Sequence, residues 1–252
     1  MPEPIVLPWL EPDHPFPAPH RALSDSTSHP GLLAAGGDLS PQRLVQAYSQ
    51  GIFPWFSEGQ PILWWSPEPR MVLTLKQFRF HRSLRQTVKQ WQREGRHRLT
   101  IDQDFAAVIR HCAQTPRPGQ PGTWIVPAMQ SAYRDLHEAG HAHSIEVWED
   151  DELIGGLYAV NLGQAVFGES MFALRSNASK VALCALVALC RDQGAEWIDC
   201  QQQTAHLASL GACALPRADF IEQVKHACRK PNLLWQSESI YWDRLLMLDR
   251  PA

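Results

Sequence analysis

The sequence predicts an α+β protein in which a small N-terminal unit precedes a larger one built on a β-sheet. Three observations carry this. Residues 144–201 read as three strands, a helix and a further strand. Residues 52–67 are dense in aromatic residues and proline and end at Pro67-Glu68-Pro69-Arg70, which reads as the join between units. Residues 81–139 hold three amphipathic helical patterns.

The first 30 residues hold eight of the twenty prolines and read as an extended lead-in anchored by Phe16 and Leu23. Gly36-Gly37-Asp38 is a turn, and no GK[ST] follows it, so it is not a phosphate loop. Ser40 is placed to cap a helix with Pro41 at its first position and Leu44, Val45 and Tyr48 on its apolar face. Three tryptophans, Trp55, Trp64 and Trp65, fall within eleven residues. Trp64 or Trp65 suits a core, and an aromatic patch also suits base stacking.

Residues 81–96 draw as a helix. At about 100° per residue, Arg82, Arg85, Lys89, Arg93 and Arg96 share one face, and Leu84, Val88 and Trp91 share the other. Residues 76–98 carry eight basic residues and one acidic residue, Glu94, whereas the whole chain has a net charge of −3. One basic segment on an otherwise acidic chain, with few carboxylates to pair with it, points to phosphate contact. Asp102 is expected to cap the next helix, with Phe105, Val108, Ile109 and Cys112 inward. A Pro/Gly loop follows over 115–122, then a helix from Pro127 to Ala139.

Ser144–Trp148 and Leu153–Val160 alternate about an Asp150-Asp151 turn, and Gln164–Phe172 continues after Asn161-Leu162-Gly163. Asn177 is expected to cap a helix to about Arg191, and Trp197–Gln201 is a short strand. Glu169 lies within an apolar strand, and Asp199 and Gln201 alternate, so that they share one face of theirs. Singly, each suits a solvated face or a turn. Together, polar groups on a half-buried sheet mark a site. A last helix spans Leu215–Lys230, before an irregular tail with Trp235, Tyr241 and Trp242.

No apolar run is long enough to span a bilayer, and the N-terminus lacks a basic segment followed by an apolar core, so neither a membrane partner nor a secretory signal is expected. Six cysteines without a CxxC pair read as buried thiols in a reducing cytoplasm. His141 and His143 have no clustered ligands beside them, so no metal is expected.

GGDLSP (36–41), GIFPWF (51–56), PILWWSP (61–67), GTWI (122–125), HAHSIEVW (141–148), FGESMF (167–172), NASK (177–180), IDCQ (198–201) and HLASLGA (206–212) together resemble the leucyl/phenylalanyl-tRNA–protein transferase family. The resemblance implies an aminoacyltransferase moving Leu or Phe, less readily Met, from aminoacyl-tRNA to a protein with an N-terminal Arg or Lys, which creates a degradation signal. It implies a small domain over 1–66 and an acetyltransferase-like (GNAT-like) catalytic domain over 67–252 with a mixed, mostly antiparallel sheet. It places Asp199 and Gln201 at the reaction centre with Glu169 nearby, and lines an aminoacyl pocket with Leu157, Met171, Leu183 and Ile198, with Phe167 as a neighbour. It sets Trp55 and Trp124 near the terminal adenosine. Val166 stands where the family can have an aromatic residue. Arg82, Arg85, Lys89, Arg93 and Arg96 are the expected tRNA contacts, and a cytoplasmic monomer without cofactor is the expected form.

Two other functions fit parts of the chain. A CoA-dependent N-acetyltransferase fits the fold, but the turn Leu174–Ser179 lacks the glycines that such enzymes use to bind pyrophosphate. A non-catalytic RNA-binding protein would need the basic helix but not Asp199 and Gln201.

Overall fold

The computed structural model describes residues 7–115, 123–237 and 242–248; most of the loop expected over 115–122, and Tyr241, lie outside them. The first sheet uses β1 (Trp9–Leu10), β2 (Leu32–Gly36), β3 (Phe53–Pro54) and β4 (Leu63–Trp65) in the order β1-β2-β4-β3, with α1 (Pro41–Tyr48) between β2 and β3. The Ser40 side chain accepts from the Arg43 N–H, which fixes the start of α1 as its sequence predicts. Trp64 is fully buried and its Nε1 donates to the Gly36 carbonyl at 2.8 Å. Phe16 meets Trp64 edge-on at 4.8 Å and so pins the lead-in.

The second sheet begins at β5 (Arg70–Thr74). After it come α2 (Arg82–Glu94), β6 (His97–Ile101), α3 (Phe105–Gln114), α4 (Pro127–Glu138), β7 (Ala142–Glu149), β8 (Glu152–Leu162) and β9 (Ala165–Ala173). The chain continues through α5 (Ala178–Asp192), β10 (Trp197–Asp199), α6 (Ala205–Ser209), β11 (Cys213–Leu215), α7 (Arg217–Ala227) and α8 (Trp242–Leu246). The strand order is β11-β5-β10-β9-β8-β7-β6. Every pairing is antiparallel except β10 with β9, which α5 connects as a crossover.

Apolar side chains from α3, α4, α7 and the first sheet cover one face of this sheet, and those of α2, α5 and α8 cover the other. Gly155 lets α5 settle onto β8, because a Cβ there would lie 2.4 Å from the Ala178 Cβ. Among the described residues, no helix is long and apolar enough to cross a membrane.

Several local expectations are corrected. Asp104 caps α3 by accepting from the Ala107 N–H, while Asp102 adopts a left-handed backbone and binds Ser144 and His143 instead. Asn177 precedes α5 with φ of 70°, and its amide donates to the Thr87 hydroxyl rather than capping the helix. Arg70, expected in the join between units, opens β5 instead, a strand with four of its five residues buried.

Candidate active site

The site begins with an irregularity in β9. Tyr158 pairs with Ser170, but Ala159 pairs with Gly168, so Glu169 is the extra residue of a β-bulge. The bulge shifts the side-chain phase. Phe167 and Met171, two apart on either side of Glu169, point to opposite faces of the sheet. Phe167 packs against Tyr48 with ring centroids 5.0 Å apart and belongs to the core, which corrects its expected place beside the aminoacyl pocket. Met171 faces a cavity.

That cavity, of about 520 Å³, is lined by Leu157, Met171, Leu183, Leu186, Ile198 and Leu207 among others. Four of the five residues expected around an apolar pocket therefore come together. A second cleft, of about 200 Å³, is lined by Phe53, Trp55 and Trp124. Cavity and cleft share Glu169, Cys200, Gln201, Thr204 and Leu207 as a common wall. Burial pushes the Cys200 thiol well up, so it is not an ionised nucleophile near neutral pH.

Glu169 sits at this junction. Its Oε2 accepts from the Tyr133 hydroxyl at 3.0 Å and its Oε1 from the Gln201 amide at 3.1 Å. The Tyr133 and Tyr48 hydroxyls are 2.5 Å apart, which extends the chain of hydrogen bonds into the first sheet's unit. Burial raises the Glu169 carboxyl to about 7, against the opposing pull of the tyrosine hydroxyls. Burial, and then the charge of Glu169, hold both tyrosines well above their usual range, so they act as neutral donors.

Asp199 is placed differently from its expected role. β10 ends at Asp199, and Gln201 turns into the left-handed region with φ of 54°, so the two do not alternate on one strand face. Asp199 and Arg70 are both fully buried. Arg70 Nε donates to Asp199 Oδ1 at 2.8 Å and Nη2 to Oδ2 at 2.7 Å. Oδ1 also accepts the Gln201 backbone N–H at 3.0 Å. The carboxylate is thus taken up by a bidentate pair and by the turn that aims Gln201 at Glu169. Arg70 further donates to the Gly51 carbonyl at 3.2 Å and lies 4.8 Å over Phe53, next to the aromatic cleft. Arg70, Tyr48 and Tyr133 are site residues that sequence reasoning missed. The arginine follows Pro67-Glu68-Pro69 and reads only as part of a linker, and each tyrosine reads as one apolar position on a helical face.

Arg82, Lys89 and Arg93 stand exposed on one face of α2, opposite buried Leu84, Val88 and Trp91, while Arg85 at the edge of that face is half-buried. Arg96 does not join it. Gly95 ends the helix in the left-handed region, and Arg96 pairs with Asp150 at 2.7 Å. Among the described residues, no carboxylate pairs with Arg82, Lys89 or Arg93.

One group of described residues, Asp102, His137 and His143, has ligand atoms within 4.8 Å of one another. His143 Nδ1 already donates to Asp102 at 2.7 Å and His137 Nδ1 to the Ala142 carbonyl at 2.8 Å. These bonds tie α4 and the α3 entrance to β7, which accounts for the group.

Comparison with known proteins places the chain in a family. The leucyl/phenylalanyl-tRNA–protein transferase of Burkholderia vietnamiensis is 53% identical over 231 residues, which are 92% of this chain and 91% of that protein. The protein of the same name from a Polaromonas species is 51% identical over 249 residues, 99% of this chain and 98% of its own. The structure of L-PGS from Bacillus licheniformis aligns with a TM-score of 0.38 at 11% identity, over 80% of this chain and 66% of that one, a likeness too loose to bear on the fold. The chain is an aminoacyltransferase. The leucyl/phenylalanyl-tRNA protein transferase family matches residues 72–225 and its N-terminal domain matches residues 37–68, and the chain belongs to that family.

Proposed function

We propose that this protein transfers Leu or Phe, and less readily Met, from aminoacyl-tRNA to the N-terminal Arg or Lys of acceptor proteins, as a cytoplasmic monomer. The observation that carries this reading is the shared wall: an apolar cavity and an aromatic cleft meet at Glu169 and Gln201. The terminal adenosine stacks at Trp55 and Trp124, and the aminoacyl side chain fills the cavity. The ester carbon then lies at the junction. Residues 1–66 act as the small domain that supplies Trp55, and 67–252 as the catalytic domain. The basic face of α2 holds acceptor-stem phosphates.

The acceptor's α-amino group has a reference pKa of about 8. Glu169, raised to about 7, is matched to take a proton from it near neutral pH. The freed nitrogen attacks the ester carbonyl. The new C–N bond forms, the bond to the ribose oxygen breaks, and that oxygen leaves with a proton. Gln201 holds Glu169 in place, and Arg70 with Asp199 holds Gln201. Most of the rate then comes from holding amine and ester together.

Incubation with labelled Phe-tRNA and a peptide beginning with Arg tests the reading. Label should pass to the peptide. Tight tRNA binding without transfer would identify a binding protein, and acetylation of the peptide from acetyl-CoA would identify an N-acetyltransferase.

A further inference from the structure

α6 and the start of α5, beside the cavity, carry polar groups that the proposed reaction does not use. His81 Nε2, just before Arg82, donates to the Ser209 carbonyl at 2.9 Å, so the start of α2 is tied to the end of α6. His206, one turn earlier on α6, lines the cavity. On α5, Lys180 precedes the cavity-lining Leu183 by three residues and so stands on the same side, one turn nearer the helix start. A second tie, from the Asn177 amide to the Thr87 hydroxyl at 3.1 Å, fixes the beginning of α5 against α2.

Burial, and then the nearby Lys180 charge, hold the His206 imidazole below its usual pKa, so at neutral pH it is an uncharged N–H donor. Among the described residues, no carboxylate pairs with Lys180. A cation without a paired carboxylate stands beside a neutral donor that lines the cavity. A phosphodiester answers both groups, offering one negative charge and acceptor oxygens.

We propose that Lys180 and His206 together bind the last phosphodiester before the terminal adenosine of the aminoacyl-tRNA donor. This rests on the proposed function. It adds a station between the acceptor-stem phosphates on α2 and the ester at Glu169. Lys180 supplies the charge and His206 a directed hydrogen bond, so the unpaired 3′ end is registered before its amino acid enters the cavity.

The test uses full-length Phe-tRNA in two forms, one normal and one with that last linkage replaced by a neutral methylphosphonate. The affinity of each for the protein is measured at moderate salt, alongside transfer to an Arg-starting peptide. The wild type should bind the neutral form about fivefold more weakly. In Lys180→Ala the penalty should nearly vanish, because the charge that senses the linkage is gone, while Lys180→Arg should keep most of it. His206→Gln, which retains a donor, should lose less than His206→Ala. A wild type indifferent to the neutral linkage overturns the proposal. So does a folded Lys180→Ala protein that keeps the full penalty. Failure to transfer from normal Phe-tRNA would instead strike the proposed function, and the affinity comparison would still decide the phosphate site.

Discussion

Two carboxylates stand near each other on neighbouring parallel strands and live in opposite electrostatic conditions. Asp199 ends β10 fully buried, with both oxygens taken by the Arg70 guanidinium. Glu169, on the bulge of β9, faces the cavity and has neutral donors as its hydrogen-bond partners, the Tyr133 hydroxyl and the Gln201 amide among them. Asp199 is tied up in a bidentate pair, whereas burial among neutral donors leaves Glu169 able to gain and lose a proton near pH 7. In the proposed reaction the first acid holds the strand end and the second takes the proton.

The largest effect that sharpens this contrast is expected from Arg70→Met. Removing one partner leaves Asp199 buried and unpaired, which should cost about 3–5 kcal/mol of stability. Chemical denaturation measures it, and a loss below about 1 kcal/mol would mean that the pair does not hold the strand end.

Glu169→Gln should act in the opposite direction. The folded protein holds the Glu169 proton up to about 7, while the unfolded chain loses it near 4.5. The unfolded state therefore ionises first as pH rises, and stability falls through that window and stays lower above it. The Gln variant has no such loss, so it should be more stable than the wild type at pH 8 by no more than about 3 kcal/mol, and little different at pH 4.5. Equal stability of the two proteins at both pH values would remove the raised pKa from the account.

The smallest expected change in stability is at the exposed cations of α2. Arg82→Ala with Lys89→Ala should change stability by less than about 0.5 kcal/mol. It should weaken all tRNAs alike and lower the salt slope of binding by about one per lost contact. An unaltered slope would make that face a merely solvated one.

Strands β7 to β9 and helices α1 to α5 and α7 were legible because each rests on local periodicity, while the strand at Arg70 was hidden in what reads as a linker. Leu157, Met171, Leu183 and Ile198 were placed around the cavity by the family resemblance and do line it, and Ser40-Pro41 announces α1 by its own chemistry. What escaped depends on partners distant in sequence. Arg70 and Asp199 are 129 residues apart, and Tyr48 and Tyr133 are 85 apart. The bulge at Glu169 leaves no mark in a run of alternating residues, so Phe167 reads as facing the cavity with Met171 when it faces away. Arg96 reads as a fifth member of the basic face because helical spacing continues on paper through Gly95, where the backbone turns off.

The most direct test of the division of labour is the pH dependence of kcat/KM for transfer, in the wild type and in Glu169→Gln. The wild-type rate should rise through about 7 as Glu169 loses its proton. In the Gln variant it should fall roughly 100- to 10,000-fold, and retain only the limb of the acceptor amine near its reference value of about 8. A Gln variant that transfers within a few-fold of the wild type and keeps the limb near 7 would show that the working proton acceptor is not Glu169.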